Sequence, residues 1–134
     1  MPSHAKRSIS IWAISLIAVG FGLLTIREGG TVLFGDAAAR VAAGNYVPFV
    51  LWFNFMAGFA YVIAGIGLWR QQRWAAWLAV AIAAATALAF AAFGAHILSA
   101  GAYEQRTVIA MSLRTLVWAA IAGLAFRRLL RNPV

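Results

Sequence analysis

The stretch "AAWLAVAIAAATALAFAAFGAHIL", Ala75–Leu98, decides how the rest of the chain is read. It holds no aspartate, glutamate, lysine or arginine. A helix that crosses the hydrocarbon core of a bilayer needs about 20 such residues. Ala75, Ala79, Ala83, Ala87, Ala91 and Ala95 recur every fourth position, and Ser99 extends the series. Residues four apart share a helix face, so the spacing predicts a smooth ridge on which a second helix lies closely.

Three further apolar runs stand on either side: about Ser8–Ile26, about Phe49–Leu68 and about Val108–Phe126. Four transmembrane spans take up most of the 134 residues, leaving no separate soluble domain. The expected architecture is a single all-α unit over 1–134, a four-helix transmembrane bundle with crossings near +20°. Only 10% of the chain is charged, against about a quarter in soluble domains. There is no cysteine, which excludes disulfides, thiolate metal sites and thiol redox relays. The net charge of +8 does not point to nucleic acid, because the basic residues bracket apolar runs instead of lining one polar face.

Charge sets the orientation. Lys6, Arg7, Arg70, Arg73, Arg127, Arg128 and Arg131 fall on one side of alternating spans, with no acid among them. Arg27, Arg40 and Arg106 fall on the other, balanced by Glu28, Asp36 and Glu104. The positive-inside rule then places both termini in the cytoplasm, in a bacterial inner membrane. The first run is longer than the roughly 7–15-residue core of a signal peptide and is expected as a retained span.

The loop Arg27–Pro48 is longer than a hairpin needs. "GDAAARVAAGN" predicts a short helix at about 36–43, capped by Asp36 and stopped by Gly44 or Asn45, lying over the outer mouth of the bundle or on lipid headgroups. In the first span Ser8, Ser15 and Gly22 alternate with Ile11, Ala18 and Thr25 in a heptad-like pattern. In the second, Asn54, Gly58, Tyr61 and Gly65 share one stripe. "IAGIGLWR" (Ile63–Arg70) resembles "IAGLAFRR" (Ile121–Arg128), and Phe21–Gly22 resembles Phe93–Gly94. A two-fold parallel hairpin repeat accounts for both; chance similarity between glycine-rich membrane helices is the alternative. Under the repeat, Arg114 corresponds to Met56.

Arg114 stands about 10 Å inside the fourth span at 1.5 Å per residue. A charge at that depth costs a few kcal/mol and is usually turned toward a protein-lined cavity. Its expected partners collect at the same end: Glu28 after the first span, Asn54 in the second, His96 near the end of the third, and Glu104 in the short loop that follows. Trp118, one turn from Arg114, is placed to stack on the guanidinium or to floor a pocket, and Tyr61 completes the candidate ligand-binding set. The plainer readings are an interhelical ion pair for Arg114, a helix-bridging hydrogen bond for His96, packing for Trp118, and headgroup contact for Arg27 and Arg106. No HxxxH or ExxH spacing marks a metal site, His4 is on the opposite side, and no cofactor is assigned.

On length, span count and the Phe21–Gly22 pair, the chain resembles the DoxX-like small four-span bacterial membrane proteins. That resemblance implies termini inside and a polar cluster near one face; no functional residue is carried over from it. The expected function is a binding or accessory subunit with an outer-leaflet polar pocket for an amphiphilic or anionic small molecule or a partner helix. The alternatives are a small oligomeric transporter or channel with a pathway between protomers, and a membrane enzyme using His96 as acid/base. The expected surroundings are the lipid bilayer, with a homo-oligomer or a partner membrane protein admitted and nucleic acid excluded. Catalytic residues are not assigned.

Overall fold

The structure is a computed structural model and describes residues 9–130. His4, Lys6, Arg7, Ser8 and Arg131 lie outside the described residues. The chain forms α1 (Ile9–Phe34), α2 (Ala37–Ala43), α3 (Pro48–Trp69), α4 (Arg73–Leu98) and α5 (Gln105–Ala125), which runs on into a π-helical turn, Phe126–Leu130. Among the described residues there is no strand. Four of these helices are long and apolar enough to cross a membrane: α1, α3, α4 and α5 with its π turn.

α1 overruns the expected end of the first span. Arg27 and Glu28 mark the edge of its apolar run, not of its backbone hydrogen bonding, and "TVLF" is helix instead of loop. Three contacts support the extension. Gly29 lets α1 lie against Phe55 of α3, where an added Cβ would come within 3.1 Å of that side chain. The Thr31 hydroxyl donates to the Arg27 carbonyl at 2.7 Å. Arg40 then folds back, donating from Nε and Nη2 to the Val32 and Leu33 carbonyls at 3.2 and 3.1 Å, and so satisfies carbonyls that a helix end leaves unpaired. The connection to α3 shrinks accordingly to 35–47.

Within it, Asp36 caps α2 by accepting from the Ala39 amide at 3.1 Å. Gly44, at φ 72, ends it in the left-handed region. Pro48 begins α3, where its missing N–H costs nothing. α3 and α4 end alike. Gln72 N bonds Gly67 O and Gln71 N bonds Leu68 O; Gly101 N bonds His96 O and Ala100 N bonds Ile97 O. These are Schellman closures, with Gln71 (φ 57) and Ala100 (φ 64) in the left-handed position that glycine usually fills.

α1 packs along α3 more extensively than any other two helices meet; α4 with α5 and α3 with α4 follow, and α1 touches α5 only sparsely. The α1–α3 seam is close because glycines face each other. A Cβ on Gly22 would sit 2.7 Å from the Gly58 carbonyl oxygen, and one on Gly65 would sit 2.6 Å from a Val19 methyl. The heptad-like stripe read in the first span is buried at Ile11, Ser15, Ala18, Gly22 and Thr25, and Gly29 continues it.

The alanine ridge of α4 behaves differently. Ala75 and Ala79 are buried, but Ala87, Ala91 and Ala95 are exposed. A spacing of four drifts about 40° per step around a 3.6-residue turn, so the series winds off the contact face. The buried line is instead Ala75, Ala79, Ile82, Thr86 and Phe93.

The main core joins Ile11, Ile14 and Ala18 of α1 to Tyr61, Ala64 and Leu68 of α3, Ala75, Ala76, Ala79 and Ile82 of α4 and Trp118, Ile121, Ala122 and Ala125 of α5. Arg128 Nη2 donates to Ser10 Oγ at 3.4 Å and Arg73 Nη1 to Leu129 O at 3.1 Å, so the start of α1, the start of α4 and the π turn share one end. A smaller cluster, Val47, Val50, Phe93 and Met111, packs near the other end. Leu16, Leu23, Leu88 and Leu116 face outward.

Candidate functional site

Arg114 faces inward from α5 and is 7% exposed. Its Nη1 donates to the Thr25 hydroxyl of α1 at 2.8 Å and to the Tyr61 hydroxyl of α3 at 3.4 Å. The guanidinium carbon lies 4.9 Å from the centre of the Phe21 ring and 6.0 Å from that of Tyr61, within the range of cation–π attraction. Tyr61 in turn packs on Phe21 and on Trp118, at 5.7 and 4.7 Å between ring centres. An aromatic bed from three helices thus holds one cation. Its hydrogen-bond acceptors here are neutral hydroxyls, and Nε, buried, has no partner.

Above Arg114 opens a cavity of about 720 Å³. α1 contributes Thr25, Glu28 and Thr31, α2 contributes Ala39 and Ala42, α3 contributes Leu51 and Asn54, and α5 contributes Arg106, Ala110 and Arg114. Arg27 and Tyr46 complete its polar rim. The lining therefore brings three guanidinium groups to one carboxylate, Glu28. Asn54 Oδ1 is buried there without a partner. An arginine fork with unused donors is suited to a carboxylate or phosphate, which it can bind through two parallel hydrogen bonds.

Of the residues expected at the site, Arg114, Asn54 and Glu28 line the cavity, and Tyr61 and Trp118 lie beneath it. Trp118 stacks on Tyr61 instead of on the guanidinium, and its Nε1 is buried without a partner. His96 and Glu104 are elsewhere. His96 Nε2 lies 2.9 Å from the Ala102 carbonyl, closing the α4–α5 loop, and its ring covers Gly101 so closely that an added Cβ would collide with it. Glu104 Oε2 accepts from the Asn45 amide at 2.9 Å and ties that loop to the one before α3. Neither holds Arg114, contrary to the expectation that an acid would. His96 stands in the last turn of α4 and Glu104 at the N-cap of α5, whereas Arg114 is drawn down among the rings. Among the described residues, no three acids and histidines assemble as metal ligands.

Two direct neighbours of Arg114 are missing from the sequence reading of the site, Thr25 and Phe21. Thr25 belongs to the packing heptad of α1, and that periodicity is the signal that turns it inward. Arg106, read as a headgroup contact, donates from Nη2 to both the Ala42 and Ala43 carbonyls at 2.9 Å. It pins the end of α2 over the cavity, a cation on the negative end of a helix.

A scan against protein-family models and searches of curated proteins and of solved structures each found no match for this chain.

Proposed function

We propose that the chain is a multi-pass protein of a bacterial inner membrane, with both termini in the cytoplasm, that acts as a binding or accessory subunit. Its outer-leaflet cavity takes an anionic or amphiphilic small molecule. The observation that carries this reading is the buried Arg114 at a cavity wall, held by neutral groups and free of any acid partner. Structural intramembrane charges are usually neutralised by another side chain; this one faces a space large enough for a ligand, within the usual 300–1,000 Å³ of small-molecule sites. The basic end formed by Arg70, Arg73, Arg127 and Arg128 supports the orientation, and the DoxX-like resemblance agrees with it. A parallel duplication of two hairpins fits the close pairing of α1 with α3 and of α4 with α5; Met56, exposed where Arg114 is buried, then marks where the halves diverged.

The transporter and enzyme readings have less support. Beneath Arg114 the way is filled by Trp118, Tyr61, Ala64 and Leu68, all fully buried, which disfavours a path through one protomer. The His96 ring is already engaged with its own loop.

Native mass spectrometry of the protein in mild detergent tests the proposal. Wild type and His96→Ala should retain a bound small molecule, and Arg114→Ala should lose it. Equal retention by Arg114→Ala overturns the assignment of the site.

A further inference from the structure

We infer that the occupant of the Arg114 cavity is an anionic lipid, its headgroup in the cavity and an acyl chain in a groove between α1 and α5. This rests on the anion-binding reading above and adds the ligand class and its route of entry.

The argument begins with the uneven closure of the bundle. α1 is clasped to α3, and α5 lies along α4, but α1 and α5 touch only sparsely. At the level of the cavity the hydrogen bond from Arg114 to Thr25 is what bridges them. The facing surfaces follow from helical periodicity. Gly22 and Gly29 turn α1 toward α3, so Ile17 and Leu24, each well off that face, turn away from it. On α5, Met111 packs with Phe93 of α4, and Leu113 lies well off that face. Ile17, Leu24 and Leu113 are 48%, 56% and 54% exposed. Phe21, Ala110 and Val117 are half-buried beside them. Together they flank an apolar furrow whose upper end is the cavity itself, since Leu24 and Ala110 also line the cavity.

The chemistry changes along this path. At its top are Arg27, Arg106 and Arg114 against Glu28 alone; below are only hydrocarbon side chains. A small water-soluble anion would use the first part and leave the second empty. A lipid with a negative headgroup uses both, and it reaches the cavity sideways from the leaflet without passing the α2 cap that Arg106 and Arg40 hold down. Charge complementarity and the continuity of cavity with furrow therefore select an anionic lipid as the occupant.

The test uses the full chain in mild detergent and three probes: phosphatidylglycerol, phosphatidylcholine with the same acyl chains, and glycerol phosphate, which has the charge without the chains. Wild type should bind one phosphatidylglycerol more tightly than either other probe. Arg114→Gln should weaken it at least about tenfold, the loss of a charge-assisted contact. Leu113→Trp, which enlarges an exposed side chain on the furrow wall and is not among the Arg114 contacts, should weaken phosphatidylglycerol to a similar degree. If glycerol phosphate binds as tightly as the lipid and Leu113→Trp has no effect, the lipid assignment fails while the anion pocket stands. If Arg114→Gln leaves all three probes unchanged, both readings fail.

Discussion

The two halves of the bundle solve the same problem in opposite ways. In the half that holds both ends of the described chain, small residues draw the helices together, and Trp118, Tyr61 and Leu68 fill the remaining space. In the other half a cavity opens among α1, α3 and α5, α2 roofs it, and a charged side chain is left with hydroxyls and aromatic faces. In lipid there is no hydrophobic force to close a bundle; van der Waals packing and polar contacts do it. The dry half relies on the first. The cavity half gives up packing, and there Arg114 Nε and Asn54 Oδ1, unpartnered, adjoin the open space, the pattern expected of the proposed binding site.

Three tests sharpen that contrast. Gly22→Leu should have the largest effect. Its new side chain would meet the Gly58 backbone and a Val62 methyl at under 3 Å, and backbone cannot step aside. Overpacking of this kind costs about 3 kcal/mol or more, so the variant should lose its folded, monodisperse peak in detergent; a normal thermal transition would show that the α1–α3 seam is looser than described.

Next comes a paired test of two buried hydroxyls on one helix. Thr25→Val removes the acceptor at 2.8 Å from Arg114 and should cost about 1–2 kcal/mol. Ser15→Ala removes a hydroxyl that has no partner and should be neutral or stabilising. Equal losses in chemical denaturation would dissolve the distinction between the halves.

The smallest effect is expected at Ala100→Gly. It relieves a left-handed residue whose strain is about 1 kcal/mol, outside both halves. A modest rise in thermal midpoint, with ligand retention untouched, is the expected result.

Much of this was legible in the residues. The four helices follow from apolar length alone, and the cap at Asp36 and stop at Gly44 follow from local chemistry. The glycine stripe of α3 and the heptad of α1 gave the contact faces. Where the reading missed, the cause was a distance that no single helix encodes. The α4 alanines suggested a straight ridge because a spacing of four is near, but not equal to, the helical turn. Glu28 and Glu104 were natural partners for Arg114 by level and charge, yet the depth of the guanidinium and the engagement of Glu104 with Asn45 separate them.

The sequence by itself determined which segments can sit in a membrane and which residues are too polar to face its lipid, because hydropathy, length and turn chemistry act within one stretch of chain. Only the tertiary structure decided which polar groups meet, where the bundle stays open, and that Arg114 is met by Thr25 and Tyr61 instead of by an acid. Those outcomes depend on how far helices are held apart, and that spacing is set jointly by the side chains of several helices.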